Sequence, residues 1–187
     1  MKPENTSINK LVKQCREGDR RAQIKIYNLY YKAMYNTSLR IVNDTAEAED
    51  IMQEGFLKAF SKIDSFRENS TFGAWLKRIV VNLSISVHNK KAKLKEVVYK
   101  DELNNEMSYD FTFHHQQENM ETENVNKLLE TLNSLKDNYR IALSLYFIEG
   151  YDYEEMGTIL NLSYANCRTT VSRAKESLRK KMLADGR

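Results

Sequence analysis

Seven apolar residues, Phe72, Trp75, Leu76, Ile79, Val80, Leu83 and Val87, recur at i, i+3, i+4, i+7, i+8, i+11 and i+15. That spacing puts them on one face of a helix and on no single face of a strand. A helix with so clean an apolar stripe must bury it against neighbours of the same kind, which commits the chain to a helix-on-helix core. The remaining sequence agrees. One Pro and six Gly among 187 residues are too few breakers for a turn-rich β fold.

Other helices follow from the same periodicity. Residues 21–42 carry Ile24, Tyr27, Tyr31, Met34, Tyr35 and Leu39 near helical spacing. Asn43-Asp44-Thr45 breaks that run, and Asp44 with Glu47 three residues on forms an N-cap pair for the next helix. This helix runs to about Ile63, with Ile51, Met52, Phe56, Ala59, Phe60 and Ile63 as its apolar set. A polar loop, Asp64 to Thr71, leads to the helix that starts near Phe72. Periodicity fades after Lys95 and returns at about Val125, where Leu128, Leu129, Leu132 and Leu135 form one face. A helix after Asp137 carries Ile141, Ala142, Leu145, Tyr146 and Ile148, with Gly150 suited to the left-handed residue past its end. Asp152 and Glu155 form a capping box for a short helix whose inner side is Met156, Ile159 and Leu160. Asn161-Leu162 is a tight turn, and Ser163 caps a last helix carrying Cys167, Val171, Ala174 and Leu178 inward.

The expected fold class is therefore all-α. Two small helical domains, an N-terminal bundle over 1–95 and a C-terminal helix-turn-helix domain over 125–187, are joined by a flexible acidic linker over 96–124. Charge divides the same way. Residues 1–95 hold 18 basic against 10 acidic residues, residues 96–125 one against eight, and residues 126–187 ten against eight. Two basic ends around an acidic middle point to nucleic-acid contact at both ends.

The chemistry that this composition excludes is also informative. Cys15 and Cys167 are the only cysteines, which suits a reducing cytoplasm and offers no disulfide framework. Met1 to Lys10 lacks a signal-peptide core, and no apolar run approaches the roughly 20 residues of a membrane span, so no direct membrane insertion is expected. No glycine loop for phosphates and no H-E-x-x-H pair are present, and His88, His114 and His115 lack companions at metal-ligand spacing. The expectation is a non-enzyme with no catalytic residue, no metal and no cofactor.

Two regions carry binding chemistry. The helix-turn-helix places Tyr164, Asn166, Arg168, Thr169, Thr170, Ser172 and Arg173 on the outer face of its second helix, the one that enters the major groove in such motifs. Arg and Asn there can pair bidentately with guanine and adenine edges. In the N-terminal half, Asp50, Gln53, Glu54 and Leu57 share one helical stripe opposite Met52, Phe56 and Phe60, suited to docking a basic or amide-bearing helix of a large partner. The loop residues Arg67, Asn69 and Ser70 can hydrogen-bond an unstacked base and its phosphate. Lys77, Arg78 and Asn82 extend that surface along the next helix, followed by Lys90, Lys91, Lys93 and Lys95. Trp75 lies within the apolar stripe, which favours core packing over base stacking.

These segments resemble a known family. Tyr139-Arg140, Glu149-Gly150-Tyr151-Asp152-Tyr153-Glu154-Glu155-Met156 and Ile159-Leu160-Asn161-Leu162-Ser163 resemble the C-terminal domain of extracytoplasmic-function sigma factors of bacterial RNA polymerase. Ala48-Glu49-Asp50-Ile51-Met52-Gln53-Glu54-Gly55-Phe56 is similar to the polymerase-binding helix of the same family, and Phe66 to Ile79 to its −10 recognition loop and helix. Lys136, Asn161 and Thr170 stand where the family often has Pro, Gly and a basic residue. The resemblance implies promoter DNA and core RNA polymerase as partners, through the β′ clamp helices and the β flap. It further implies −10 contacts from the N-terminal domain, −35 contacts from the helix-turn-helix, and an anti-sigma factor, possibly membrane-anchored. Two other classes compete with it. One is a helix-turn-helix regulator with an N-terminal sensor or dimerisation domain. The other is a polymerase-binding regulator without promoter specificity.

Overall fold

Several helix ends of the protein fall where a side chain or a left-handed residue satisfies the free backbone groups. A computed structural model describes residues 3–67, 69–98 and 120–184. Helix α1 spans Pro3–Arg16 and opens on a proline, whose missing N–H costs nothing at a first turn. Asp19 caps α2, Arg20–Val42, by accepting from the Arg21 N–H at 2.8 Å. Asn43 ends α2 in the left-handed region at φ 55°, its N–H donating to the Leu39 carbonyl at 2.9 Å. Asp44 then caps α3, Thr45–Ser61, through the Glu47 N–H at 3.0 Å. A single 3₁₀ turn, Ile63–Ser65, and a short loop lead to α4, Phe72–Val98, where the Thr71 hydroxyl accepts from the Ala74 N–H.

The described chain divides into two units, residues 1–89 and 90–187. The core of the first is built by Val12, Ile26, Met34, Ile51, Met52, Phe56, Phe72, Leu76 and Val80, all buried. Each such side chain contributes about 1.5–3 kcal/mol through removal from water. Small residues set how closely the helices approach. The hydroxyls of Ser38 on α2 and Ser84 on α4 lie 3.1 Å apart in the interior, and Ser84 donates to the Val80 carbonyl at 2.8 Å. On α3, a Cβ at Gly55 would lie 2.7 Å from a Val80 methyl.

The second unit holds α5 (Met120–Asn133), α6 (Asp137–Leu143), α7 (Tyr153–Leu160) and α8 (Tyr164–Ala184). Its core is Leu132, Leu135, Ile141, Ala142, Leu143, Leu145, Met156, Cys167, Val171 and Ala174. Arg140 is also buried, at 2% exposure, with one arm 2.6 Å from the Asp137 carboxylate. Lys181 near the end of α8 donates to the Ser134 carbonyl at 2.6 Å and so ties that end to the end of α5.

Every regular element among the described residues of both units is a helix, in keeping with the expected all-α class. Several details differ from expectation. Helix α1 was absent from it, and α5 begins at Met120 rather than near Val125. The linker expected over 96–124 lies mostly outside the described residues, which resume at Met120. Past Leu143 the helix widens into a π turn, Ser144–Ile148. The extra residue rotates the face by one position, so Leu145 stays buried while Phe147 and Ile148, the latter expected inward, become exposed. Gly150 follows at φ 79°, as the left-handed stop predicts. No described helix is long and apolar enough to cross a membrane.

Replacement of Gly55 tests the α3–α4 contact. Val80 is β-branched and enclosed, so it cannot swing clear of an added methyl. Gly55→Ala is expected to cost about 1–3 kcal/mol by overpacking, read as a lower urea midpoint at unchanged slope.

Candidate nucleic-acid and partner interfaces

The outer stripe of α3 is a consequence of its inner one. Ala48, Ile51, Met52, Gly55, Phe56 and Ala59 face the core, so Asp50, Gln53, Glu54 and Leu57 are all exposed. Glu54 pairs with Lys58 at 2.8 Å one turn on, and Gln53 donates to Glu49 at 3.4 Å. Exposed pairs of this kind hold side chains loosely and release them readily to a partner. Leu57 is 71% exposed beside these polar groups. The stripe thus offers two carboxylates, an amide and one apolar knob to a docking helix.

The loop from Phe66 to Thr71 is fastened at both ends. Phe66 and Phe72 are buried and meet edge to face at 5.5 Å, and Trp75 packs on both at 5.4 and 5.5 Å. Such ring pairs contribute about 0.5–1.5 kcal/mol beyond their burial. Trp75 is therefore part of an aromatic clamp, as the stripe predicts. From α1, the Arg16 guanidinium donates to the Phe66 carbonyl at 2.6 Å and to the Ile63 carbonyl at 3.4 Å. Between these anchors Arg67, Asn69 and Ser70 project into solvent, with Glu68 outside the described residues. On α4, Arg78 and Asn82 are exposed one turn apart and Lys77 is half-buried. Lys90, Lys91 and Lys93 are exposed further along α4.

Arg16 was missed in the sequence. Ile8, Leu11, Val12 and Cys15 do lie at i, i+3, i+4 and i+7, but the pattern lasts only two turns in a polar run. Cys15 beneath it is buried, and burial, with the Asp19 carboxylate adding to it, pushes its thiol up to about 11. It stays a neutral core group rather than a nucleophile.

The helix-turn-helix is set by caps and one close approach. Asp152 accepts from the Glu154 and Glu155 N–H groups at 2.9 and 2.8 Å, while Glu155 accepts from the Asp152 N–H at 3.1 Å. This closes the capping box read from the sequence. Asn161 ends α7 at φ 54°, and the Leu162 N–H returns to the Gly157 carbonyl at 3.0 Å. The chain folds back so tightly that a Cβ at Gly157 would lie 2.8 Å from the Leu162 carbonyl oxygen. The Ser163 hydroxyl accepts from the Asn166 N–H at 3.2 Å and opens α8. Cys167, Val171 and Ala174 face inward. Tyr164, Asn166, Arg168, Thr169, Ser172 and Arg173 are exposed, and Thr170 is half-buried.

Beside this face runs a set of rings. Tyr146 of the π turn stacks on Tyr153 at 4.8 Å and 7°, and Tyr153 meets Tyr164 edge to face at 5.5 Å and 83°. The Tyr153 phenol is held above its ordinary range, first by a hydrogen bond with Tyr146, then by desolvation, against the lowering field of Arg168. On another side, Leu128, Leu132, Leu143, Phe147, Leu178 and Met182 line an apolar groove of about 870 Å³. Lys175 lies over the Phe147 ring at 5.7 Å.

The arrangement matches known proteins. The family model for sigma-70 region 2 matches residues 26–94, and that for sigma-70 region 4 matches residues 126–178. The chain is 32% identical over 184 residues to the ECF RNA polymerase sigma factor SigW of Bacillus subtilis, covering 94% of this chain and 96% of that one. It is also 32% identical over 155 residues to SigM of the same organism, covering 83% and 91%. Among solved structures, it resembles the sigma factor RpoE in complex with the anti-sigma factor NepR from Bartonella quintana. The TM-score is 0.60 at 23% identity, over 86% of this chain and 96% of that one. CnrH in complex with the cytosolic domain of CnrY gives a TM-score of 0.54 at 20% identity, over 94% and 96%.

Substitution at Gly157 separates the turn from the reading face. The clash in Gly157→Ala is with backbone, which no side-chain rotation relieves. The variant is expected to lose duplex binding together with thermal stability of the second unit, while a polar change at exposed Thr169 leaves the unfolding free energy within about 0.5 kcal/mol of wild type. Fluorescence-anisotropy titration and melting by circular dichroism check both.

Proposed function

The chain belongs to the sigma-70 family of RNA polymerase sigma factors, in its extracytoplasmic-function branch, and from that premise we propose how its surfaces divide the work of promoter recognition. The observation that carries the reading is the presence of both family regions, in order, in one chain. A regulator that used its helix-turn-helix alone would need neither the α3 stripe nor the clamped loop ahead of it.

The protein brings core RNA polymerase to specific promoters and assists initiation there, without an enzymatic step of its own. Residues 1–95 form the polymerase-binding and −10 domain. Asp50, Gln53, Glu54 and Leu57 dock on the β′ clamp helices, where the carboxylates meet basic or amide donors and Leu57 loses its water. Arg67, Asn69 and Ser70 hold an unstacked −10 base, and Lys77, Arg78 and Asn82 line the strand that leads away from it. A packed aromatic frame at the base of this polar loop supports this role, since its anchored ends have less freedom to lose on contact. Residues 125–187 form the −35 domain. Asn166, Arg168, Thr169, Ser172, Arg173 and Tyr164 meet the major groove there, and the same domain contacts the β flap. The segment 96–124 tethers the two. Tethering makes the second contact intramolecular, so two modest affinities act as one strong one when promoter spacing allows both.

An anti-sigma factor holds the free protein inactive in the cytoplasm. We place it on the α3 stripe, where it excludes polymerase directly. The solved relatives bound to NepR and to the cytosolic domain of CnrY support an inhibitory protein partner of this kind.

Run-off transcription with purified bacterial core polymerase on a library of promoter fragments tests the main reading. Transcripts from discrete start sites that require the protein are expected, falling steeply as salt rises. Duplex binding by the protein without any transcript would instead support the regulator reading. The shared surface has its own test. Asp50→Ala with Glu54→Ala is expected to weaken core polymerase and the anti-sigma factor together in pull-down titrations, and retention of both would remove the α3 stripe from either interface.

A further inference from the structure

Helix α8 begins at Tyr164, whose ring meets that of Tyr153, which in turn stacks on Tyr146. Tyr153 touches it edge to face at 5.5 Å and stacks on Tyr146 at 4.8 Å. The three rings come from three different elements, namely the π turn, the first residue of α7 and the first residue of α8. Tyr146 and Tyr153 are half-buried, whereas Tyr164 is 54% exposed. The column therefore runs from two half-buried rings to the tip of the helix. A lone tyrosine at a helix tip would sample several rotamers and lose that freedom on binding. Here the packing has restricted it in the free protein, so less is lost on contact.

Helix-turn-helix proteins present the N-terminal residues of the second helix to base edges in the major groove. A tyrosine ring is a poor reader of a donor and acceptor pattern. It suits the one apolar group that groove displays, the C5-methyl of thymine. Its neighbours cover the other chemistry. Asn166 and Arg168 offer hydrogen bonds, and Ala165, between Tyr164 and Asn166, is too short to compete for the same space.

We propose that Tyr164, held by Tyr153 and Tyr146, reads a thymine methyl in the −35 duplex. Tyr153 acts here as a positioning residue that sets the ring angle of Tyr164 and itself touches no base. The inference rests on the second unit reading promoter duplex, as set out above.

The test uses the full chain with core polymerase on a promoter recovered by run-off selection. Each −35 thymine, on either strand, is replaced in turn by deoxyuridine, which removes only the methyl group. At one position the wild-type complex is expected to lose about threefold to fivefold in competitive binding, the size of one buried methyl. Tyr164→Ala abolishes that uracil penalty, and Tyr164→Phe retains it in full. Tyr153→Leu shrinks the penalty and Tyr153→Phe keeps it, a pattern that simple loss of stability cannot imitate. The phenylalanine variants preserve ring packing and guard against loss of fold.

Indifference of the wild type to uracil at every −35 thymine overturns the proposal. So does a penalty that survives Tyr164→Ala, or one that Tyr164→Phe removes, since the latter would mean a hydroxyl contact to phosphate. In each of these cases protein-dependent initiation persists and the sigma-factor reading stands. Absence of initiation at any promoter would overturn that reading and the thymine contact together.

Discussion

Val80 sits in the space that Gly55 leaves open, and much of the first unit depends on that contact. It brings α3 against the long stripe of α4. With Ala48, Ile51, Met52, Phe56 and Ala59 turned to the same interior, α3 has no rotational freedom left. Its opposite side must therefore present Asp50, Gln53, Glu54 and Leu57 as one surface. The face proposed to bind a partner is the reverse of a packed one, which is why a charged stripe with an exposed leucine lies on one side of this helix.

Both regions proposed to face DNA are short polar segments between packed or capped supports. In the first unit, the aromatic triangle of Phe66, Phe72 and Trp75 closes the base of the loop, and Arg16 holds two of its carbonyls from a distant helix. In the second, the Asp152–Glu155 box, left-handed Asn161 and the bare Cα of Gly157 set the angle between α7 and α8. Each device limits conformational entropy before DNA arrives, so more of the contact energy is available for discrimination between sequences. Arg140 plays a related part inside the second unit. A buried guanidinium with one arm on Asp137 is costly to leave unpaired, so it favours the one arrangement of α6 that keeps its partners.

Charge then orients the whole. Basic residues gather on the N-terminal half and along the last helix, while the acidic excess lies between residues 96 and 125. On the proposed reading, phosphate contacts from the two ends supply affinity and salt dependence, and base contacts from α8 supply choice among sequences.

Sequence alone determined the local features of this protein. The α3 and α4 periodicities, the caps at Asp44, Asp152 and Ser163, and the left-handed stops at Gly150 and Asn161 depend on neighbours within about five residues and appear in the structure. Helix α2 forms as expected, but Ile24, read with its apolar set, is 60% exposed. The α3 stripe and the outer face of α8 were legible for the same reason, since helical spacing alone decides which side chains share a side. Tertiary structure decided the rest. Arg16 reaches carbonyls 47 and 50 residues away, a relation that periodicity cannot carry. The π turn at Ser144 shifts the face that follows α6, leaving Leu145 buried and Phe147 and Ile148 exposed, and no propensity rule marks it. The column of Tyr146, Tyr153 and Tyr164 joins three elements whose only common property is where the fold brings their ends together.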